Sequence, residues 1–257
     1  MLMAAPVAPT DQTLPAKLID DAIVEALCHL QFTSGDLQEV IIGRISDFAV
    51  KRGFFPERLP IADIPAPIRN ADPSLRFQPT IQFRSKSNTH LIRIGENAIS
   101  FHVTGVKQYP GWEEFKKPLK DVVEGLFKAI ENVVVEKIAL RYINAIVRER
   151  HFIDDIHQLE FEARVGKVAL DGPINLNYVT QVGGDHIVTT RLAHSKFVQG
   201  SLPPNTSAVI DVEVTTIEKF SSKDPVEVLL WVEKAHNFEK SAFFALIPGA
   251  VLNKLKE

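Results

Sequence analysis

Residues 140–144 read Leu-Arg-Tyr-Ile-Asn, a strand-like run in which an arginine and an asparagine stand where sheet chemistry would place aliphatic side chains. In strand alternation Leu140, Tyr142, Asn144 and Ile146 share one face, and Arg141, Ile143, Ala145 and Val147 the other. An isolated guanidinium in a low-dielectric interior is costly, so Arg141 is expected to be mostly buried and paired. Glu25, Asp211 and Glu213 are the carboxylates the pattern offers. One reading makes Arg141 an anion-binding group, with Asn144 orienting a ligand in a cleft around Arg141, Tyr142 and Asn144. The other makes it half of an internal ion pair, with Asn144 satisfying backbone groups. The second is preferred, because structural networks perturb charges as readily as sites do.

Two further places carry chemistry-bearing side chains. His151-Phe-Ile-Asp-Asp-Ile-His157 offers imidazoles and carboxylates of the kind that hold zinc or manganese. On a helix His151, Asp154 and Asp155 would share a face but His157 would not, and no HExxH-like spacing is present. A solvated turn without metal is the expectation. His236 lies at the edge of an apolar helical stripe beside Asn237 and Glu239, where a general base could sit, although a hydrogen-bonded structural histidine is the simpler reading. With Trp112 it joins Arg141, Tyr142 and Asn144 as a candidate ligand- or partner-binding residue.

No serine stands in a nucleophile elbow, no glycine-rich phosphate loop is present, and Gly183-Gly184 reads as a hairpin turn. The sequence therefore predicts neither metal-dependent nor nucleophilic hydrolysis. It implies no cofactor and assigns no catalytic residue.

The 257 residues are 45% hydrophobic and 24% charged, an ordinary globular balance with ample length for a core. The formal charge of −3 gives no general attraction to phosphate backbones or anionic membranes. The basic residues Lys116, Lys117, Lys120, Arg148 and Arg150 do not amount to a nucleic-acid surface, since Trp112 and Phe115 fall on an apolar helical stripe; nucleic acid is not an expected partner. Cys28, the one cysteine, excludes an intrachain disulfide framework and points to a reducing cytoplasm. Residues 1–20 read as a flexible Pro/Ala-rich leader without a secretory signal, and no later stretch reaches membrane-span length.

The elements that must position these residues follow from periodicity. Residues 23–32 alternate as a strand, a helix runs from Leu37 toward Gly53, and 90–94 with 98–103 form a hairpin about Gly95. An amphipathic helix from Trp112 to Ile130 contains Pro118, or begins at it, and precedes the strand 134–147. Strands are expected at 159–165, 174–181, 186–192 and 208–217, then a helix capped by Asp224-Pro225. Six prolines between Phe55 and Pro79 predict an irregular loop with no helix or strand beyond a turn or a few residues. The order predicts an α+β fold of antiparallel sheets each packed by a long helix. The expected architecture is two similar halves, 21–150 and 151–257, of helix-grip or ferredoxin-like kind.

The succession Ile23-Val24-Glu25-Ala26, the Gly95 hairpin, Tyr109, Gly111-Trp112 with Phe115, Leu140-Arg141-Tyr142-Ile143-Asn144 and the helix from His236 to Phe244 resembles a sporadically distributed, uncharacterised bacterial family of about this length. The resemblance spans nearly the whole chain, with Ala22 where members carry a proline, and transfers no catalytic roles. It implies an accessory, defence-related setting. The leading expectation is a non-enzymatic binding or regulatory protein acting through a protein partner. The alternative is a small-molecule-binding protein or enzyme using the Arg141 cleft. Oligomeric state is not legible.

Overall fold

The computed structural model describes residues 14, 15 and 18–255. Strand β1 (Ile23–Thr33) alternates as predicted: Ala26, Cys28, Leu30 and Phe32 are buried, while Glu25, Leu27, His29 and Gln31 are half-buried on the opposite face. Helix α1 (Gln38–Lys51) follows, then β2 (Phe55–Arg58), α2 (Ala66–Ala71), β3 (Ile81–Arg84) and the hairpin β4 (His90–Ile94) with β5 (Ala98–Thr104). Helix α3 (Trp112–Ala129) leads into the long strand β6 (Val134–Val147) and a single turn, α4 (Arg148–His151). The short strands β7 (Arg164–Val165) and β8 (Val168–Ala169) pair with each other. Strands β9 (Asn175–Val182), β10 (His186–His194) and β11 (Thr206–Thr216) precede helices α5 (Pro225–Phe244) and α6 (Gly249–Leu255).

Nine strands form one antiparallel sheet in the order β2-β3-β4-β5-β1-β6-β11-β10-β9. This corrects the expectation of several sheets each packed by its own helix. The sheet is single because β6 pairs with β1 along one edge and with β11 along the other, and both long helices pack into one core on its Leu140, Tyr142 and Ile146 face. The sheet therefore runs across the expected division at residue 150.

Helix α3 buries Phe115, Leu119, Val122, Val123 and Leu126 at three- and four-residue steps. Each such side chain stabilises the fold by roughly 1.5–3 kcal/mol when fully buried. Pro118 lies inside α3. In α5 the Asp224 carboxylate accepts the Val226 N–H at 2.8 Å and Pro225 opens the first turn, as the cap signal predicts. Helix α1 adds Ile41, Ile45 and Ala49 to the same core, and its Phe48 ring occupies the space a side chain at Gly125 would need. Among the described residues no helix is long and apolar enough to cross a membrane.

Two local expectations change. Residues 159–165 do not form a strand. A capping box between Asp155 and Gln158 closes a 3-10 turn over 156–158 that turns Ile156 and Leu159 into the core, leaving only Arg164–Val165 for pairing. The proline-rich segment holds the four-residue β2, within the few residues expected, and the six-residue α2, which runs beyond one turn. Its prolines occupy places that tolerate a missing N–H: Pro56 on an edge strand and Pro67 in the first turn of α2. The apolar side chains there divide, with Phe55 and Ile68 exposed and Leu59, Ile61 and Ile64 half-buried.

Of the expected leader, residues 1–13, 16 and 17 lie outside the described residues. Leu18 belongs to the core and Asp20 bridges Lys107 and Arg150, so residues 18–20 are part of the fold.

Candidate functional site

Strand parity decides where the candidate residues go. Tyr142 and Asn144 face the helices, while Arg141 faces the opposite, helix-free side. A single cleft around Arg141, Tyr142 and Asn144 does not exist, because consecutive residues of one strand cannot share a face.

On the helix side, Trp112, Tyr142, Asn144 and His236 line one pocket of about 50 Å³ together with Asp21, Tyr109 and Glu239. The Trp112 and His236 rings stack at 4.0 Å and 9°, Trp112 Nε1 donates to Glu233 at 2.9 Å, and the Tyr109 and Tyr142 hydroxyls meet at 3.1 Å. Asn144 donates to the Ile210 carbonyl at 3.2 Å, so it does satisfy backbone as expected. Burial pushes His236 down to about 4, and its Nδ1 has no partner among the described residues. The pocket has room for a few water-sized groups only, on the scale of roughly 10–15 Å³ each.

Burial also holds the Glu239 carboxyl well above the usual carboxylate range; the charge of Asp21 adds to this and Lys240 opposes it. A carboxyl with a raised folded pKa retains its proton after the unfolded chain has lost it, so stability falls as pH rises above the ordinary carboxylate value. Glu239→Gln should therefore gain stability relative to the parent as pH is raised from 4 to 8. Urea titrations at the two ends check this, and a difference that does not grow with pH contradicts a protonated Glu239.

The opposite face is polar and ordered by charge. Arg141 donates from Nε and Nη2 to both oxygens of Asp211 at 2.7 Å, and Arg191 bridges Asp211 at 3.2 Å and Glu213 at 2.9 Å. The expected internal pair is present, but Arg141 is half-buried, with 33% of its side chain exposed, and not mostly buried. It stands, paired with Asp211, at one side of a broader groove.

That groove encloses about 530 Å³ and is floored by β5, β1 and β6, with Pro73, Ser74, Phe77 and Gln78 of the proline-rich segment along a rim. Ser100, opposite Arg93 on one neighbouring strand and His29 on the other, sits in its floor. Glu25 Oε1 lies 2.8 Å from His102 Nδ1, and His102 Nε2 lies 2.8 Å from Ser100 Oγ. Burial lowers His102 and Glu25 holds it up; at Glu25 burial is the largest influence and raises the pKa, but the hydrogen bond to His102 and the charges of His102, Arg93 and Arg141 together leave it lowered. An ionised Glu25 can only accept, so His102 donates from Nδ1 and its bare Nε2 accepts the Ser100 hydroxyl. Burial pushes His29 down to about 4, which keeps its ring neutral. Arg93 donates to Gln82 at 2.7 Å and its charge helps to lower Glu25, but among the described residues neither Arg93 nor Lys137 forms an ion pair.

Sequence reasoning missed Glu25, Ser100, His102, Arg93 and Lys137 as a group. The available signal was the alternation Ile99-Ser100-Phe101-His102, which puts serine and histidine together on the non-core face of β5. Ser100 thus has an imidazole of its own strand within hydrogen-bond reach, and the register of β1 against β5 brings Glu25 to that imidazole.

His151 and His157 are not brought together as ligands. His151 Nδ1 accepts the Val147 N–H at 2.7 Å and His157 Nε2 meets the Gly172 carbonyl at 2.9 Å. Among the described residues no three His, Cys, Asp or Glu side chains are gathered as a metal site. No family model and no curated protein matches this chain.

Proposed function

We propose that this chain is a binding protein for a small anionic molecule, received in the groove on the helix-free face. The observation that carries the reading is the pair of cations, Arg93 and Lys137, that line the groove and form no ion pair among the described residues. Neutral hydrogen-bonding groups, Ser100, His29 and Thr215, lie in the same groove. Its volume falls within the few hundred to roughly 1,000 Å³ typical of small-molecule sites.

Calorimetry with inorganic phosphate and malonate tests this. Arg93→Gln and Lys137→Gln should each weaken the better-bound anion about tenfold, the worth of one charge-assisted contact. Unchanged affinity in the double variant removes the reading.

Action through a protein partner, within the accessory bacterial setting the family resemblance implies, is a second proposal. Exposed Phe55 and Ile68 support it. Purification from the native operon with mass spectrometry separates the two: a bound anionic metabolite supports the first, while the second needs a copurifying protein that Phe55→Glu with Ile68→Glu releases. Two related halves of helix-grip kind also stand as a proposal. In its support, the order β3-β4-β5-β1 followed by α3 has a counterpart in β9-β10-β11-β6 followed by α5.

A further inference from the structure

We propose that Ser100, His102 and Glu25 form a nucleophile, base and orienting acid that transfer an acyl group from an anionic ester held in the groove; this rests on the anion-binding reading. Two hydrogen bonds of 2.8 Å join the three side chains in series, with the imidazole in the middle. The chain of donors runs in the direction that nucleophilic catalysis requires. Glu25 fixes the proton on Nδ1, leaving Nε2 to take the serine proton.

The three residues come from two adjacent strands and share one face. Ser100 and His102 are two apart on β5, and Glu25 lies on β1 opposite Thr104, one diagonal step from His102. Rigid strands hold such groups more precisely than loops do. Ser100 and His102 are 7% and 4% exposed, yet both line the groove, so a bound ester reaches them while bulk water is limited. Arg93 and His29 flank Ser100 as its cross-strand neighbours, whose Cβ atoms lie roughly 4.5–5.5 Å away. In the proposed reaction they are the side chains that stabilise the negative charge developing on the attacked carbonyl oxygen. Lys137, also in the lining, holds the anionic end.

In the forward step Ser100 Oγ bonds to the ester carbonyl carbon as its proton passes to His102 Nε2. The bond from that carbon to the leaving alkoxide or aryloxide breaks, and the leaving group departs with the His102 proton. Water then attacks the acyl-serine and gives a proton to His102, the bond to Oγ breaks, and Ser100 recovers its proton as the acid leaves.

The test uses the full chain with mono-4-nitrophenyl succinate, an anionic activated ester, and 4-nitrophenyl acetate as its neutral counterpart. The expected result is saturable nitrophenolate release favouring the succinate, with a succinyl adduct on the Ser100 peptide by mass spectrometry. Ser100→Ala should abolish adduct and release, and His102→Gln should slow release by about a hundredfold or more. Lys137→Gln should raise KM for the succinate by a larger factor than KM for the acetate. Melting temperatures of both active-site variants, with phosphate affinity of Ser100→Ala, report on folding and binding apart from chemistry. Parent-like release by folded Ser100→Ala or His102→Gln overturns the relay. So does a parent that binds phosphate through Arg93 and Lys137 but neither turns over the ester nor acquires the adduct, an outcome that leaves the binding reading standing. Turnover dependent on Ser100 without phosphate or malonate binding supports the relay and removes the anion reading instead.

Discussion

Arg69→Ala is expected to destabilise the protein by about 3–5 kcal/mol, the cost of leaving one member of a buried ion pair without its partner. Arg69 and Glu96 have side chains only 8% and 7% exposed, and they join α2 to the turn between β4 and β5. The same guanidinium also donates to the Ile64 carbonyl. At that turn the chain is pressed close: a Cβ at Gly95 would come within 2.6 Å of the Gln78 carbonyl oxygen. Truncating Arg69 orphans the Glu96 carboxylate there and loosens the segment that forms one rim of the groove. Urea unfolding gives the stability change, and limited proteolysis between residues 59 and 79 should accelerate with it. Arg69→Met combined with Glu96→Leu should cost far less than the single alanine, because both charges leave together. Equal losses in the two variants would mean that the pair's packing, and not its charge, holds the segment.

Phe115→Ala should cost a similar 3–5 kcal/mol, by the route of a large cavity. Phe115 is fully buried, and its ring meets Phe101, Tyr109, Trp112 and Tyr142 at centroid distances of 5.5, 5.8, 6.0 and 6.2 Å. It is the ring on which the aromatic wall of the helix-side pocket rests. Near-ultraviolet circular dichroism should lose intensity together with stability. Phe115→Leu, which keeps most of the volume, should cost less than about 1.5 kcal/mol. If the leucine variant is as damaged as the alanine one, ring-to-ring contact and not filled volume holds this core.

Much of the fold was legible because local physics and tertiary structure agree in it. The alternation of β1, the hairpin about Gly95, the stripe of α3 and the Asp224 cap each read correctly from spacing. The single sheet was not legible, since the pairing of β6 with both β1 and β11 is a long-range choice that no local pattern records. Residues 159–165 alternate well enough for a strand, yet a cap at Asp155 claims Leu159 for the core first.

The candidate residues show the same division. Strand parity already separated Arg141 from Tyr142 and Asn144. Which face of β6 the helices would cover could not be read, because Ile143, Ala145 and Val147 make the Arg141 face as apolar by composition as its opposite. Asp211 was among the carboxylates anticipated for Arg141, and the pair formed. Glu25 was weighed only as a partner for Arg141, whereas the sheet register delivers it to His102.

The two margins of the sheet differ. At one margin β2 is four residues long and carries Pro56, which has no N–H to offer an incoming strand. At the other, β9 is eight residues long, contains no proline, and exposes Tyr178 and Val179. Its outward row of amide and carbonyl groups is unpaired with any strand among the described residues, the kind of edge on which strand addition occurs. Lysine at Val179, on the helix-free face of that strand, would blunt this tendency without disturbing the helices packed behind it.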